Sequence, residues 1–111
     1  MKELIQMRLQ PGSFAKIKNG AKDIELRLYD EKRRLLKIGD QILFVNLESE
    51  EQLLCKIVGL CWFQDFRTLV ENLGALRFGW DTEYSDADIE KYYSRDDVKK
   101  YGALGIVLSK E

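Results

Sequence analysis

The sequence predicts an α+β fold, a small mixed sheet or barrel with short peripheral helices. Three observations carry this reading. Apolar stretches of strand length are punctuated by Gly, Asn and Asp, the candidate helices are short, and no regular strand–helix–strand alternation runs through the chain as a doubly wound sheet would require. The length of 111 residues fits one domain spanning 1–111, with a single proline, no internal repeat and no linker.

The elements follow in order. Residues 2–9 read as a first strand, ended by the turn signal Pro11-Gly12-Ser13. Ser13 is placed to cap a short helix in which Phe14 and Ile17 share a face, and Asn19-Gly20 stops it. Residues 22–29 alternate cleanly, with Ile24, Leu26 and Leu28 on one face and Asp23, Glu25, Arg27 and Tyr29 on the other. The charged run at 30–34 reads as a solvated turn, and Ile38-Gly39-Asp40 as a corner feeding a strand over 41–45. Residues 52–63 are apolar on both parities. Such a strand is either covered on two sides or bent at Gly59 around a barrel corner.

Asp65 caps a helix whose Phe66, Leu69, Val70 and Leu73 recur at helical spacing, with Gly74 past its end. Two further helical pieces are predicted in 81–101, begun by Ser85 and Ser94, each with an aspartate three residues on, and the second closed by Gly102. A last apolar strand occupies 103–109.

Composition narrows the functional classes. The chain has two cysteines and no histidine, which removes imidazole catalysis and most zinc arrangements, so neither a metal nor a cofactor is expected. Cys55 and Cys61 share a parity but lie six residues apart on a candidate strand, about 20 Å, too far for a disulfide; they read as core residues. No apolar run reaches the length of a membrane span and the N-terminus lacks a signal-peptide pattern, so the expected location is the cytoplasm. The formal net charge of -1 hides a polarised chain, with ten Lys/Arg against six Asp/Glu in residues 1–40 and two against seven in residues 81–97. Any contact with a polyanion is therefore expected to be local.

The segment from Gly20 to Arg27 concentrates the chemistry. Glu25 and Arg27 share a parity, and an arginine fork beside a carboxylate can grip a carboxylate or phosphate; the plainer reading is a structural pair on a solvated face. Lys22 can act as a base or nucleophile only if burial disfavours its ammonium form. In an ideal strand Lys22 and Glu25 face opposite ways, so their cooperation demands an irregular strand start. Trp80, Tyr84, Tyr92, Tyr93 and Tyr101 make the C-terminal third aromatic, which suits either helix packing or stacking on bases. Of the adjacent Tyr92 and Tyr93 only one can point fully inward. Asp40 reads first as turn chemistry, with a ligand role as the minority reading.

Taken together, Pro11-Gly12-Ser13-Phe14, Ile17-Lys18-Asn19-Gly20, Lys22-x-x-Glu25-x-Arg27, Gly39-Asp40, the helix over 65–73, Tyr92-Tyr93-Ser94 and Tyr101-Gly102 resemble the ASCH domain family of the PUA-like superfamily. The resemblance implies a small PUA-like β-barrel with peripheral helices, a cleft beside the Gly-x-Lys-x-x-Glu-x-Arg segment, and RNA-related binding. One branch of that family removes the acetyl group of N4-acetylcytidine with a lysine, a threonine and a glutamate; the lysine maps onto Lys22, and the threonine position is Glu25 here. The first expectation is thus a domain that binds RNA or a nucleoside-like small molecule through Lys22, Glu25 and Arg27, with Arg8, Asp40 and Tyr93 as neighbours. Two alternatives stand beside it: an amidohydrolase using Lys22 and Glu25 as its catalytic pair, and a protein-interaction adaptor that docks a basic partner on the acidic, aromatic stretch 81–101. Oligomeric state is left open.

Overall fold

The structure is a computed structural model and describes residues 4–79 and 89–111. Its frame is one five-stranded mixed sheet made of β1 (Leu4–Leu9), β2 (Ile24–Leu28), β3 (Gln41–Asn46), β4 (Gln52–Phe63) and β5 (Ala103–Lys110). The strand order is β1-β3-β4-β5-β2, with β1 and β3 parallel and the other pairs antiparallel. The sheet curls into a half-barrel whose two edges, β1 and β2, share no strand ladder. The side chain of Arg27 crosses from one edge toward the other and donates from Nη2 to the Arg8 carbonyl at 3.3 Å.

Three helices are described: α1 (Pro11–Lys18), α2 (Phe66–Leu73) and α3 (Arg95–Tyr101). The expected Ser13 cap is corrected, because α1 starts at Pro11 with Gln10 as its uncapped preceding residue. Proline's missing N–H and fixed φ suit the first helical position, where no intrahelical acceptor is needed, and this draws the helix start three residues earlier. In α2 the Asp65 carboxylate accepts from the Thr68 amide at 2.7 Å, and Gly74 ends the helix at a φ of 94°. The Ser94 hydroxyl caps α3 through the Asp97 amide, as its spacing predicts. The companion piece begun by Ser85, together with Trp80 and Tyr84, lies outside the described residues.

Two apolar clusters lie on opposite faces of β5. Leu104, Ile106 and Leu108 join Phe14 and Ile17 of α1 with Phe44, Cys55 and Ile57, while Ala103 and the partly buried Val107 join Phe66, Leu69 and Val70 of α2 with Ile24 and Phe78. Each fully buried large side chain contributes roughly 1.5–3 kcal/mol over an exposed one, so these two layers carry the fold. The predicted bend at Gly59 is present as a register shift between Ile57 and Gly59, after which β4 serves the second cluster through Phe63. A Cβ at Gly59 would stand 3.2 Å from Val107 Cβ, so a side chain there would press on Val107. Cys55 is buried and its thiol is pushed up to about 11, chiefly by desolvation; Cys61 is half-buried, not the core residue its parity suggested. Among the described residues no helix is long and apolar enough to cross a membrane, and no cluster of three or more Cys, Asp or Glu is arranged to hold a metal.

Candidate functional site

The site is built from the irregular entry into β2. Gly20 adopts a φ of 88°, a left-handed turn that glycine accommodates without strain, and the Ala21 amide donates to the Asn19 side chain at 2.9 Å. The chain then runs beside α1, where the Lys22 amide donates to the Lys16 carbonyl at 3.0 Å, and pairs with Phe78 in an isolated bridge before the ladder begins at Ile24. Lys22 therefore stands outside the regular strand. That removes the alternation rule which would have sent it away from Glu25, and the two side chains meet at 2.9 Å from Nζ to Oε1.

Glu25 and Lys22 are 5% and 8% exposed, so this ion pair is withdrawn from water. The Glu25 carboxylate also accepts from the Leu26 amide at 2.9 Å and from Arg27 Nη2 at 3.3 Å. Burial alone would raise its pKa. The charge of Lys22, then that of Arg27, and the hydrogen bonds from Lys22 and Leu26 outweigh desolvation and hold the group below its ordinary value of 4.5. The Glu25–Arg27 pair exists as its parity predicts, but on the inner face of the curl and not on a solvated one. A carboxylate has about four lone-pair positions. Three donors already reach Glu25, which leaves about one for a ligand.

Around this pair opens a cavity of about 550 Å³, within the range of small-ligand sites. Arg8 and Leu9 of β1, Gln10, Ser13 and Lys16 of α1 and its approach, Arg27 and Tyr93 all line it. Tyr93 stacks on Phe66 with ring centroids 5.2 Å apart, and desolvation raises its pKa, so its hydroxyl remains a donor at neutral pH. Tyr92 also lines the cavity and is 69% exposed, giving the inward and outward division expected of adjacent tyrosines. Gly79 lies against Lys16 and Lys22 at a φ of 82°, where a Cβ would stand 2.9 Å from Lys16 Cδ and 3.2 Å from Lys22 Cβ.

Arg8, Lys22, Glu25, Arg27 and Tyr93 are thus brought together. Asp40 is not among them. Its carboxylate accepts from the Lys37 amide at 2.9 Å in the turn before β3, and that end of β3 is about 16 Å of strand away from the Asn46 end, where Leu47 borders the cavity. Lys16 and Ser13 carried no site signal in the sequence beyond their place on a short helix. Tyr92 was visible only as half of an aromatic pair.

Comparison with known proteins agrees with this architecture. The model of the ASCH domain matches residues 7–110. The hypothetical protein PH0355, known from a crystal structure, is similar at 31% identity and a TM-score of 0.85, covering 98% of this chain and 99% of that one. Protein PF0455 from Pyrococcus furiosus, solved by NMR, is similar at 31% identity and a TM-score of 0.76, covering 96% of each chain. A protein described as ASCH from Zymomonas mobilis shares the fold at 19% identity and a TM-score of 0.68, covering 97% of this chain and 67% of that chain. No curated protein matches the chain.

Proposed function

On the premise that the chain belongs to the ASCH domain family, whose PUA-like fold suggests RNA-related binding, we propose that its cleft binds a nucleobase of RNA or of a nucleoside-like ligand. The buried Lys22–Glu25–Arg27 cluster at the floor of the cavity carries the reading. The free acceptor position of Glu25 takes an exocyclic amine, as carboxylates do from cytosine N4, while the donors of Lys22, Arg27 and Tyr93 suit the ring acceptors beside that amine. The exposed ring of Tyr92 offers a stacking surface at the mouth. Membership of the family supports the RNA side of the assignment, and the polarised charge agrees with a local phosphate contact.

A base-binding role favours the low Glu25 pKa, because a general base works best with a pKa near the operating pH. The convergence of Lys22 and Glu25 nonetheless supports one second reading, amide hydrolysis of an N4-acylated cytidine, with Glu25 activating water and Lys22 stabilising the oxyanion. The two readings separate on turnover. Under the binding reading, cytidine-containing single-stranded RNA binds, and contact with two phosphates weakens the binding by about sevenfold between 50 and 200 mM salt. Incubation with N4-acetylcytidine then yields no product by chromatography. Product that disappears in both Lys22→Ala and Glu25→Ala would establish the hydrolase instead.

A further inference from the structure

A second cavity of about 500 Å³ adjoins the first, between β1, Arg27 and the turn over Arg33–Leu35. Arg8 and Arg27 line both cavities, and they touch through the bond from Arg27 Nη2 to the Arg8 carbonyl. Lys32 and Arg33 complete a ring of four cations around the second cavity, and none of its lining residues is acidic. Arg8 and Lys32 are exposed and form no ion pair with a described residue. Arg27 and Arg33 are neutralised from one side, by Glu25 and Asp30, yet each buries an Nε–H without an acceptor. Two guanidinium donors of cavity-lining residues thus lack a protein acceptor. Apart from Gln6 the remaining wall is apolar: Ile5, Met7 and Leu36 back the cavity and Leu35, 72% exposed, stands at its rim.

Cations shared between two adjoining cavities, the second with an apolar wall, match a particular ligand chemistry. A phosphodiester presents a fixed negative charge between two units that each have a flat, largely apolar face. Resting on the assignment of the first cleft to a nucleobase, we propose that the two cavities together take one dinucleotide step of a single strand. One nucleoside sits over Glu25, the phosphate lies on the Arg8–Arg27 ridge, and the neighbouring nucleoside packs against Met7 and Leu35 within reach of Lys32 and Arg33. The ligand is then a phosphate-linked nucleotide and not a free nucleoside.

Calorimetric titration of the whole chain with cytidine, cytidine 3′-monophosphate and the dinucleoside monophosphate cytidylyl-cytidine tests this. Affinity is expected to rise along that series, the last step by about tenfold, as the second nucleoside buries apolar surface against Met7 and Leu35. Lys32→Glu, an exposed change that tests the charge alone, and Arg33→Gln should both erase the gain from cytidine 3′-monophosphate to the dinucleotide while leaving cytidine itself unchanged. Cytidine binding with no gain for the dinucleotide would overturn the second site and leave the first cleft standing. Failure of all three ligands to bind would overturn both. A dinucleotide gain that survives Lys32→Glu and Arg33→Gln would place the second unit elsewhere and overturn the assignment.

Discussion

The two faces of β2 divide five consecutive residues between them and are held by opposite physics. Ile24, Leu26 and Leu28 pack toward α2 and Phe66, where any apolar side chain of the right volume serves. Glu25 and Arg27 point into the curl, where each charge is tolerated only because a named partner stands at hydrogen-bond distance. The difference separates what the strand does for stability from what it does for ligands. The apolar face is replaceable in kind, whereas the polar face is a set of mutual dependencies.

Breaking one dependency should give the largest effect. Glu25→Ala leaves Lys22 and Arg27 facing each other without a carboxylate, and chemical denaturation should show a loss of about 3–5 kcal/mol. Replacing Lys22 and Glu25 together, as Lys22→Met with Glu25→Leu, removes the buried pair at similar volume and leaves only the partly exposed Arg27 without its carboxylate, so much of that loss should be recovered while ligand binding vanishes. If the double variant is as unstable as Glu25→Ala, the cluster contributes more to stability than to function.

Acid sharpens the same contrast. The Glu25 pKa is lowered in the folded state, so its stabilising contribution is complete above the ordinary value of 4.5 and is lost as pH falls through the folded value. The stability difference between the wild type and Glu25→Gln should therefore be constant near neutrality and shrink on acidification below pH 4.5. On the apolar face Ile24→Val should cost about 0.5–1.5 kcal/mol, with no pH dependence of its own. Asp23→Ala, one residue before the strand, removes the exposed bidentate contact with Arg77 at 3.1 and 3.2 Å. Being about half exposed, that pair should register at about 1 kcal/mol or less, and less again in high salt.

These faces were legible to different depths. The alternation of β2 is a period-two signal in a single segment, so it reads directly, as do the helical spacing around Leu69 and the cap at Asp65. The meeting of Lys22 with Glu25 was legible only as a condition on the strand start. It is met by Phe78, more than fifty residues away, whose bridge to Lys22 leaves no local trace. Asp40 shows the converse: Gly39-Asp40 entered the reading as part of a resemblance, yet its residues build a turn and do not line the cleft. Ser13 is a strong cap by type, and proline's preference for the first helical position prevailed over it. The second cavity was not legible. Its cations come from β1, β2 and the 30–36 turn, and only the curl of the sheet brings them to one place.

The strand order has a consequence for how the protein comes into being. Arg8, Lys22, Glu25 and Arg27 all lie within the first 27 residues, yet β1 and β2 are opposite edges of the sheet, joined only through β3, β4 and β5. The partner of β2 is the last strand, with Glu25 opposite Ile106. A nascent chain emerging from the ribosome therefore carries these four charged residues early and must wait for its final segment before the two edges can close around them. Contacts this distant in sequence fold slowly, so the cleft is a late product of folding. A polypeptide halted before Ala103 would keep the chemistry and lack the site.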